Sequence, residues 1–491
     1  MSLQSIDSLH AYEIPSLLRS KELCAKELAE ASFASIEARD DKVHAYLELC
    51  KDMAFEQAAK LDAKLAAGEQ VGLLAGVPVA FKDNMNLKGT HTTCSSRMLQ
   101  NYKSVYTATC VKRMIEADAL PLGKLNMDEF AFGSSTETSY FGPSKNPHDL
   151  ERVPGGSSGG SSAAVAAGEA LITLGSDTGG SIRQPAAFCG VVGFKPTYGV
   201  ISRSGVVAFG SSLDQVGPFA KTVEEIALSM EVLSGRDPYD CTSQEAHESY
   251  TAQLKDGIKG KRIGVVHTMI DAKGVSDEVK HATYEAAKNL EAQGAQLVDI
   301  DLPHAQDAMS AYYVIGPCEA FSNLSRFDSV RYGYQHPNCK DLSSQEALSR
   351  AEGFGAEARR RILLGAYLLS SGVYEEYYLP AQKVRTLITS DYTKAFESCD
   401  ALLMPTSPRA AFKFGEISDP TEMYLSDMFT VSINIAGNGG ISVPVGFGKD
   451  TGLPLGVQLV GPAFKDPELL RIAWSLEQCY APVEVAAAIK G

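Results

Sequence analysis

Two clusters of glycine and serine lie a short distance apart in the chain, and they hold the residue types that nucleophilic chemistry needs. The first runs Gly155-Gly156-Ser157-Ser158-Gly159-Gly160-Ser161-Ser162, and the second runs Gly175-Ser176-Asp177-Thr178-Gly179-Gly180-Ser181-Ile182-Arg183. Glycine pairs let backbone N–H groups approach a ligand closely, and serines supply hydroxyls that can attack or relay a proton. Between the clusters, residues 163–174 read as a short alanine-rich helix running into a buried strand. One such unit can fold both clusters onto a single point, where a nucleophile and an oxyanion hole can be built.

A serine nucleophile needs a base. Gly156-x-Ser158-x-Gly160 fits the nucleophile-elbow pattern with Ser158 as the attacking group, but that pattern also requires a downstream acid and histidine. The chain has nine histidines, and those beyond the motif, such as His267, His304 and His336, read as strand-end or surface residues. A lysine can serve instead where burial disfavours its charge. Lys82 suits that role: it closes the apolar run Val77–Phe81 and is followed by Asp83 and Asn84. Lys124 and Lys195 compete with it, although Lys195, just before Pro196, reads more as a turn anchor. Neither of the standard nucleotide phosphate loops, G-x-x-x-x-G-K-[ST] or G-x-G-x-x-G, occurs.

These groups need a scaffold, and the chain has the means to build one. It has 491 residues, 44% hydrophobic and 21% charged, as in ordinary globular proteins. Residues 15–68 read as helical, with Leu17, Leu18, Leu23, Leu28 and Phe33 near helical spacing. Residues 72–82 form a turn and then a short apolar strand; 107–119 read as a helix, 120–124 as a strand and 133–162 as loop-rich. Strands at 262–267 and 296–300 flank a helix at 276–293. Long helices follow at 356–370 and 381–399, then strands at 401–405, 441–445 and 457–460. Alternating strands and helices predict an α/β layer fold around a largely buried sheet. A helical N-terminal segment, 1–70, is expected to pack on one large catalytic domain, 71–491.

Composition excludes several functions. The net charge is −15, with 45 Lys and Arg against 60 Asp and Glu, so the chain is not expected to grip nucleic acid by itself. No apolar run is long enough for a membrane span, and the first residues, Met1–Asp7, lack the pattern of a signal or transit peptide. The ten cysteines form no C-x-x-C pairs and read as free thiols of a reducing compartment, the cytoplasm, with no metal site.

The run Gly155–Gly168, the run Gly175–Arg183 and Phe81-Lys82-Asp83-Asn84 together resemble the amidase signature family. Further stretches, Lys124–Ser135, Lys195–Gly199, Ser211–Pro218, Phe354-Gly355, Arg360–Ile362, Met404–Pro408 and Leu455–Pro462, are similar to one branch of it. That branch comprises the glutamine-hydrolysing subunits of tRNA-dependent amidotransferases. The resemblance implies the amidase signature fold, a central mixed β-sheet flanked by helices on both faces. It implies a triad of Ser181 as nucleophile, Ser157 as a bridging serine with a cis peptide bond, and Lys82 as base. The amides of Thr178, Gly179, Gly180 and Ser181 would form the oxyanion hole, with Ser158 in support. Arg361 would receive the α-carboxylate of glutamine and Asp427 its α-ammonium, with Tyr312, or its neighbour Tyr313, lining the pocket; Arg360 is the alternative arginine. The implied partners are two companion subunits: a tRNA-binding kinase-transferase that holds ATP and Mg, and a small linker. This chain would carry no cofactor. Phe132, Val200 and Ser204 depart from the branch's usual residues without touching the triad. A stand-alone amidase acting on small amides shares the triad and differs in the pocket.

Overall fold

The computed structural model describes residues 5–245, 248–486 and 488–489. Residues 1–4, part of the N-terminal stretch that lacks a targeting pattern, lie outside them. Eleven strands form one sheet: β1 Tyr46–Leu49, β2 Pro78–Lys82, β3 Leu120–Leu125, β4 Ile172–Asp177, β5 Val192–Lys195, β6 Gln215–Ala220, β7 Arg262–Val265, β8 Gln296–Asp299, β9 Ala401–Pro405, β10 Gly440–Phe447 and β11 Pro454–Val460. Their spatial order is β1-β3-β2-β4-β6-β5-β10-β11-β9-β7-β8. The sheet is mixed. β2 lies parallel to β3 and β4, and β7 parallel to β8 and β9, while the remaining ladders are antiparallel. This is the α/β architecture with a mixed central sheet that the sequence led us to expect.

Three strands position the chemistry. Every residue of β2, β3 and β4 is buried, which is why they read as apolar runs without alternation. In the β2–β4 ladder, Val79 pairs with Ile172, Ala80 with Thr173 and Phe81 with Leu174. The next residue of β2 is Lys82, so the parallel register brings its side chain to the end of β4, where the second glycine–serine cluster begins. Open α/β sheets bind ligands at these carboxyl ends. The first cluster leads into the wholly buried helix Gly159–Ala166, which packs on β4.

A layer of helices carries the other half of the site. Ala308–Leu324 packs against Ala356–Leu368 and Leu379–Ser398. A short helix, Pro420–Tyr424, continues directly into the turn Leu425–Asp427. No described helix is long and apolar enough to cross a membrane, and all ten cysteines are free.

The N-terminal region departs from the uniform helix expected over residues 15–68. It divides into helices Ile14–Arg19, Ala25–Val43 and Lys51–Ala66, with β1 between the last two. The Asp40 carboxylate accepts from the amides of Ala45 and Tyr46 and so draws the chain out of the helix. His44 takes a left-handed conformation at the helix end. The following Tyr-Leu-Glu-Leu then pairs with β3. Four residues rich in helix formers gave no strand signal of their own.

Candidate active site

Lys82 is the only one of the three candidate lysines that reaches the serines. Its Nζ lies 2.8 Å from Ser157 Oγ, 2.8 Å from Ser158 Oγ and 2.9 Å from Ser176 Oγ. It is fully buried. Burial pulls its ammonium down to about 7, against the opposing charges of Asp128, Asp177 and Asp214. Lys124, by contrast, donates to Asp83 Oδ1 at 2.8 Å in a buried ion pair and meets none of these serines. Lys195 is also buried and drawn down to about 7, but it donates to the carbonyls of Pro196 and Asn438 and meets no serine.

The hydroxyl network fixes which way the protons point. Ser158 Oγ donates to the Ser176 carbonyl at 3.1 Å, so towards Lys82 it acts as an acceptor. Ser176 Oγ accepts from Asn84 Nδ2 at 2.9 Å. A neutral Lys82 can direct its two N–H bonds at Ser158 and Ser176, and its lone pair then faces the hydroxyl of Ser157. The Gly156–Ser157 peptide bond is cis. A side chain on Gly156 would overlap Asp128 Oδ2, its ideal Cβ lying 2.1 Å away, so only glycine lets the first cluster settle there.

The second cluster is tied to the first and to the helical layer. Ser158 N donates to the Ser181 carbonyl at 3.2 Å. Asp177 organises the turn, accepting from the amides of Gly180 at 2.8 Å and Ile182 at 3.2 Å. Its carboxylate also pairs with buried Arg183, donors Nε and Nη2 each lying at 3.1 Å. Burial alone would raise Asp177, but the charge and hydrogen bonds of Arg183 outweigh it and hold the carboxyl at about 2. The Gly180 amide is therefore engaged by Asp177. Those of Thr178, Gly179 and Ser181 have no hydrogen-bond partner among the described residues. Thr430 Oγ1 donates to the Gly179 carbonyl at 2.5 Å, and the ring of Tyr312 lies so close that a Cβ on Gly179 would meet it at 2.7 Å.

Ser181 is the one triad candidate that is not sealed: Lys82 and Ser157 are fully buried, whereas Ser181 is half-buried and opens into a cavity of about 500 Å³. Gly179, Tyr312, Arg361 and Asp427 line the same cavity. Both Arg360 and Arg361 border it, and the helix Ala356–Leu368 separates their roles. The Arg361 side chain is 5% exposed, while that of Arg360 is 49% exposed and pairs with Glu357 at the rim. Asp427 accepts from Ser134 Oγ at 2.9 Å, and burial pushes its carboxyl up to about 7. Phe132 and Phe209 form another wall, edge to face with centroids 4.6 Å apart.

Sequence reasoning left several participants without a role. Ser176 and Arg183 stood inside the second cluster. Glu357, Tyr424 and Thr430 carried no motif signal, because the contacts of Tyr424 with Glu357 and of Thr430 with Gly179 join distant parts of the chain through the helical layer.

Residues 27–470 match the family model described as Amidase. The chain is 54% identical to the A-subunit of glutamyl-tRNA(Gln) amidotransferase from Carboxydothermus hydrogenoformans over 96% of this chain and 97% of that protein. It is 51% identical to the protein of the same name from Heliobacterium modesticaldum, over 95% and 96%. Among solved structures it resembles the same A-subunit from Thermotoga maritima, with a TM-score of 0.82 and 41% identity, covering 99% of this chain and 100% of that one. A bacterial aryl acylamidase of the amidase signature family superposes with a TM-score of 0.84 at 27% identity, each chain covered to 96%. The chain belongs to the amidase family.

Proposed function

We propose that this chain hydrolyses glutamine within a tRNA-dependent amidotransferase, supplying ammonia for converting misacylated Glu-tRNA(Gln), Asp-tRNA(Asn) or both. The observation that carries the reading is one cavity joining Ser181 to a buried arginine and a half-buried carboxylate. Glutamine presents one carboxamide, one α-carboxylate and one α-ammonium. Ser181 meets the first, Arg361 suits the second and Asp427 the third. An amidase acting on simple amides has no use for that charge pair.

The chemistry runs through a proton relay. Neutral Lys82 takes the proton of Ser157, Ser157 takes that of Ser181, and Ser181 Oγ attacks the carboxamide carbon. The amides of Thr178, Gly179 and Ser181 stabilise the oxyanion, with Gly180 holding the turn through Asp177; each donor contributes about 3 kcal/mol in the transition state. The C–N bond then breaks. The departing nitrogen takes the relayed proton back and leaves as ammonia. A water loses a proton into the same relay, attacks the γ-glutamyl ester and frees glutamate and Ser181. Ser158 and Ser176 keep Lys82 aimed at Ser157.

The amidotransferase relatives carry the name of a subunit, which supports assembly with companions; the reading places that assembly in the cytoplasm. In this reading one companion binds tRNA, ATP and Mg, and a small one links the assembly. The acidic balance of this chain favours that division of labour. Ser181→Ala in the assembled enzyme is expected to lower glutamine-dependent ammonia release by at least about a thousandfold. Release at the parental rate would remove Ser181 from the reaction.

A further inference from the structure

Arg361 is held in a way that a simple carboxylate receptor does not require. Its Nε donates to Glu357 Oε1 at 2.7 Å, and its guanidinium carbon lies 4.5 Å from the ring centre of Tyr313 and 4.4 Å from that of Tyr424. Those two rings stack on each other at 4.1 Å. Glu357 Oε1 also accepts from the hydroxyl of Tyr424 at 2.8 Å, and its other oxygen takes Arg360. The two Nη groups of Arg361 have no hydrogen-bond partner among the described residues, so the end of the guanidinium away from Glu357 remains available for a carboxylate.

The placement of Tyr424 gives this arrangement a purpose. Tyr424 ends the short helix Pro420–Tyr424, and Asp427 follows within the next turn. Glu357 and Arg361 stand one turn apart on Ala356–Leu368. The Tyr424–Glu357 hydrogen bond therefore joins the element bearing the positive receptor to the element bearing the negative one. The contact of Arg361 with the Tyr424 ring is a second tie between these walls, and Tyr313, from the helix Ala308–Leu324, stacks on the same ring.

We propose that Glu357 and Tyr424 are positioning residues that fix Arg361 relative to Asp427, setting the two charge receptors at the spacing of one α-amino acid and thereby selecting glutamine over amides that lack that charge pair. The proposal rests on the glutaminase reading of the cavity. It adds residues that line the cavity and act through Arg361 rather than on the reacting atoms.

The test is steady-state glutamine hydrolysis by the assembled enzyme, with glutaminamide as a competing ligand, since an amide there replaces the α-carboxylate. Glu357→Ala is expected to raise KM for glutamine by about tenfold or more with kcat within about threefold. Glu357→Gln, which keeps an acceptor for Arg361 and Tyr424, is expected to recover most of that loss. The inhibition constant of glutaminamide is expected to stay within about twofold in both. Should Glu357→Ala fold poorly, Tyr424→Phe removes only the hydroxyl and is expected to raise KM about threefold, again sparing glutaminamide. An unchanged KM in these variants, or equal losses for glutamine and glutaminamide, would overturn the proposal by reducing the pair to ordinary wall residues. Ser181→Ala run alongside separates the two claims. Retained hydrolysis there defeats the glutaminase reading, whereas abolished hydrolysis with an unchanged KM in Glu357→Ala defeats only the positioning role.

Discussion

A lysine works as a base at neutral pH only if its surroundings refuse its charge, and Lys82 is placed for that. It is wholly buried, meets hydroxyls and one carbonyl rather than a carboxylate, and is drawn down to about 7 by burial. Lys124, by contrast, meets a carboxylate, with Asp83 Oδ1 2.8 Å from its Nζ. Asp427 is pushed the other way, up to about 7, again by burial first. Both groups must be deprotonated for glutamine turnover, Lys82 to accept a proton and Asp427 to pair with the ammonium. The sign is therefore the same for both: kcat/KM rises with pH through about 7, on an acid limb steeper than one proton allows. Asp427→Asn is expected to reduce that limb to a single proton while lowering kcat/KM, as a pH–rate profile would show. A profile that stays flat from pH 6 to 8, roughly one unit either side of these values, would mean neither group titrates where the structure puts it. The glycine–serine runs and Lys82 were legible as candidates from their composition, while the roles of Ser181 and Ser157 came from the resemblance to the amidase signature family. The identity of the pocket arginine was not legible. Adjacent arginines on a helix point about 100° apart, and only the packing of Ala356–Leu368 shows that Arg361 is the inward one.

At the scale of elements, the site is made by bringing strand ends and a helical layer together. β2 and β4 were each anticipated as buried strands leading into chemistry-bearing residues, but their parallel pairing was not, because it joins segments about ninety residues apart. β1 was missed because Tyr46–Leu49 is short and its signal is tertiary, coming from Asp40 and from pairing with β3. The link between the turn after β4 and the helical layer was equally invisible. It runs from Asp177 through Arg183 to Gln458, Thr430 and Asn434, across as many as 275 residues of chain. Arg183→Met would leave the Asp177 charge buried without its partner, and is expected to cost about 3–5 kcal/mol, read as a lowered Tm. The sign with pH follows from Asp177. Its folded value of about 2 lies below the usual 3.8, so the pair's stabilisation is complete above that usual value and fades as pH falls through about 2. In Arg183→Met the acid-induced loss over that window is expected to shrink. A variant as stable as the parent would show that the turn is held by other contacts.

The whole molecule reads as one half of a division of labour. Its net charge of −15 makes phosphate gripping by this chain unfavourable, and its strand-end loops and helical layer enclose a cavity of about 500 Å³. Purified alone, it is expected to bind tRNA at near-physiological salt too weakly to retard in a gel, and to hydrolyse glutamine poorly. Adding co-purified companions with tRNA and ATP is expected to raise the rate. Full glutaminase activity from the isolated chain would favour an amidase that works alone.

The central claim is that Ser181, rather than Ser157 or Ser158, carries the γ-glutamyl group. The most direct test is to quench the assembled enzyme during turnover with glutamine and map acylated peptides by mass spectrometry. The account predicts one γ-glutamyl ester, on the peptide containing Ser181, absent from Ser181→Ala and lost in Lys82→Ala. An ester on Ser157 or Ser158, or steady ammonia release in Ser181→Ala with no ester on any serine, would contradict it.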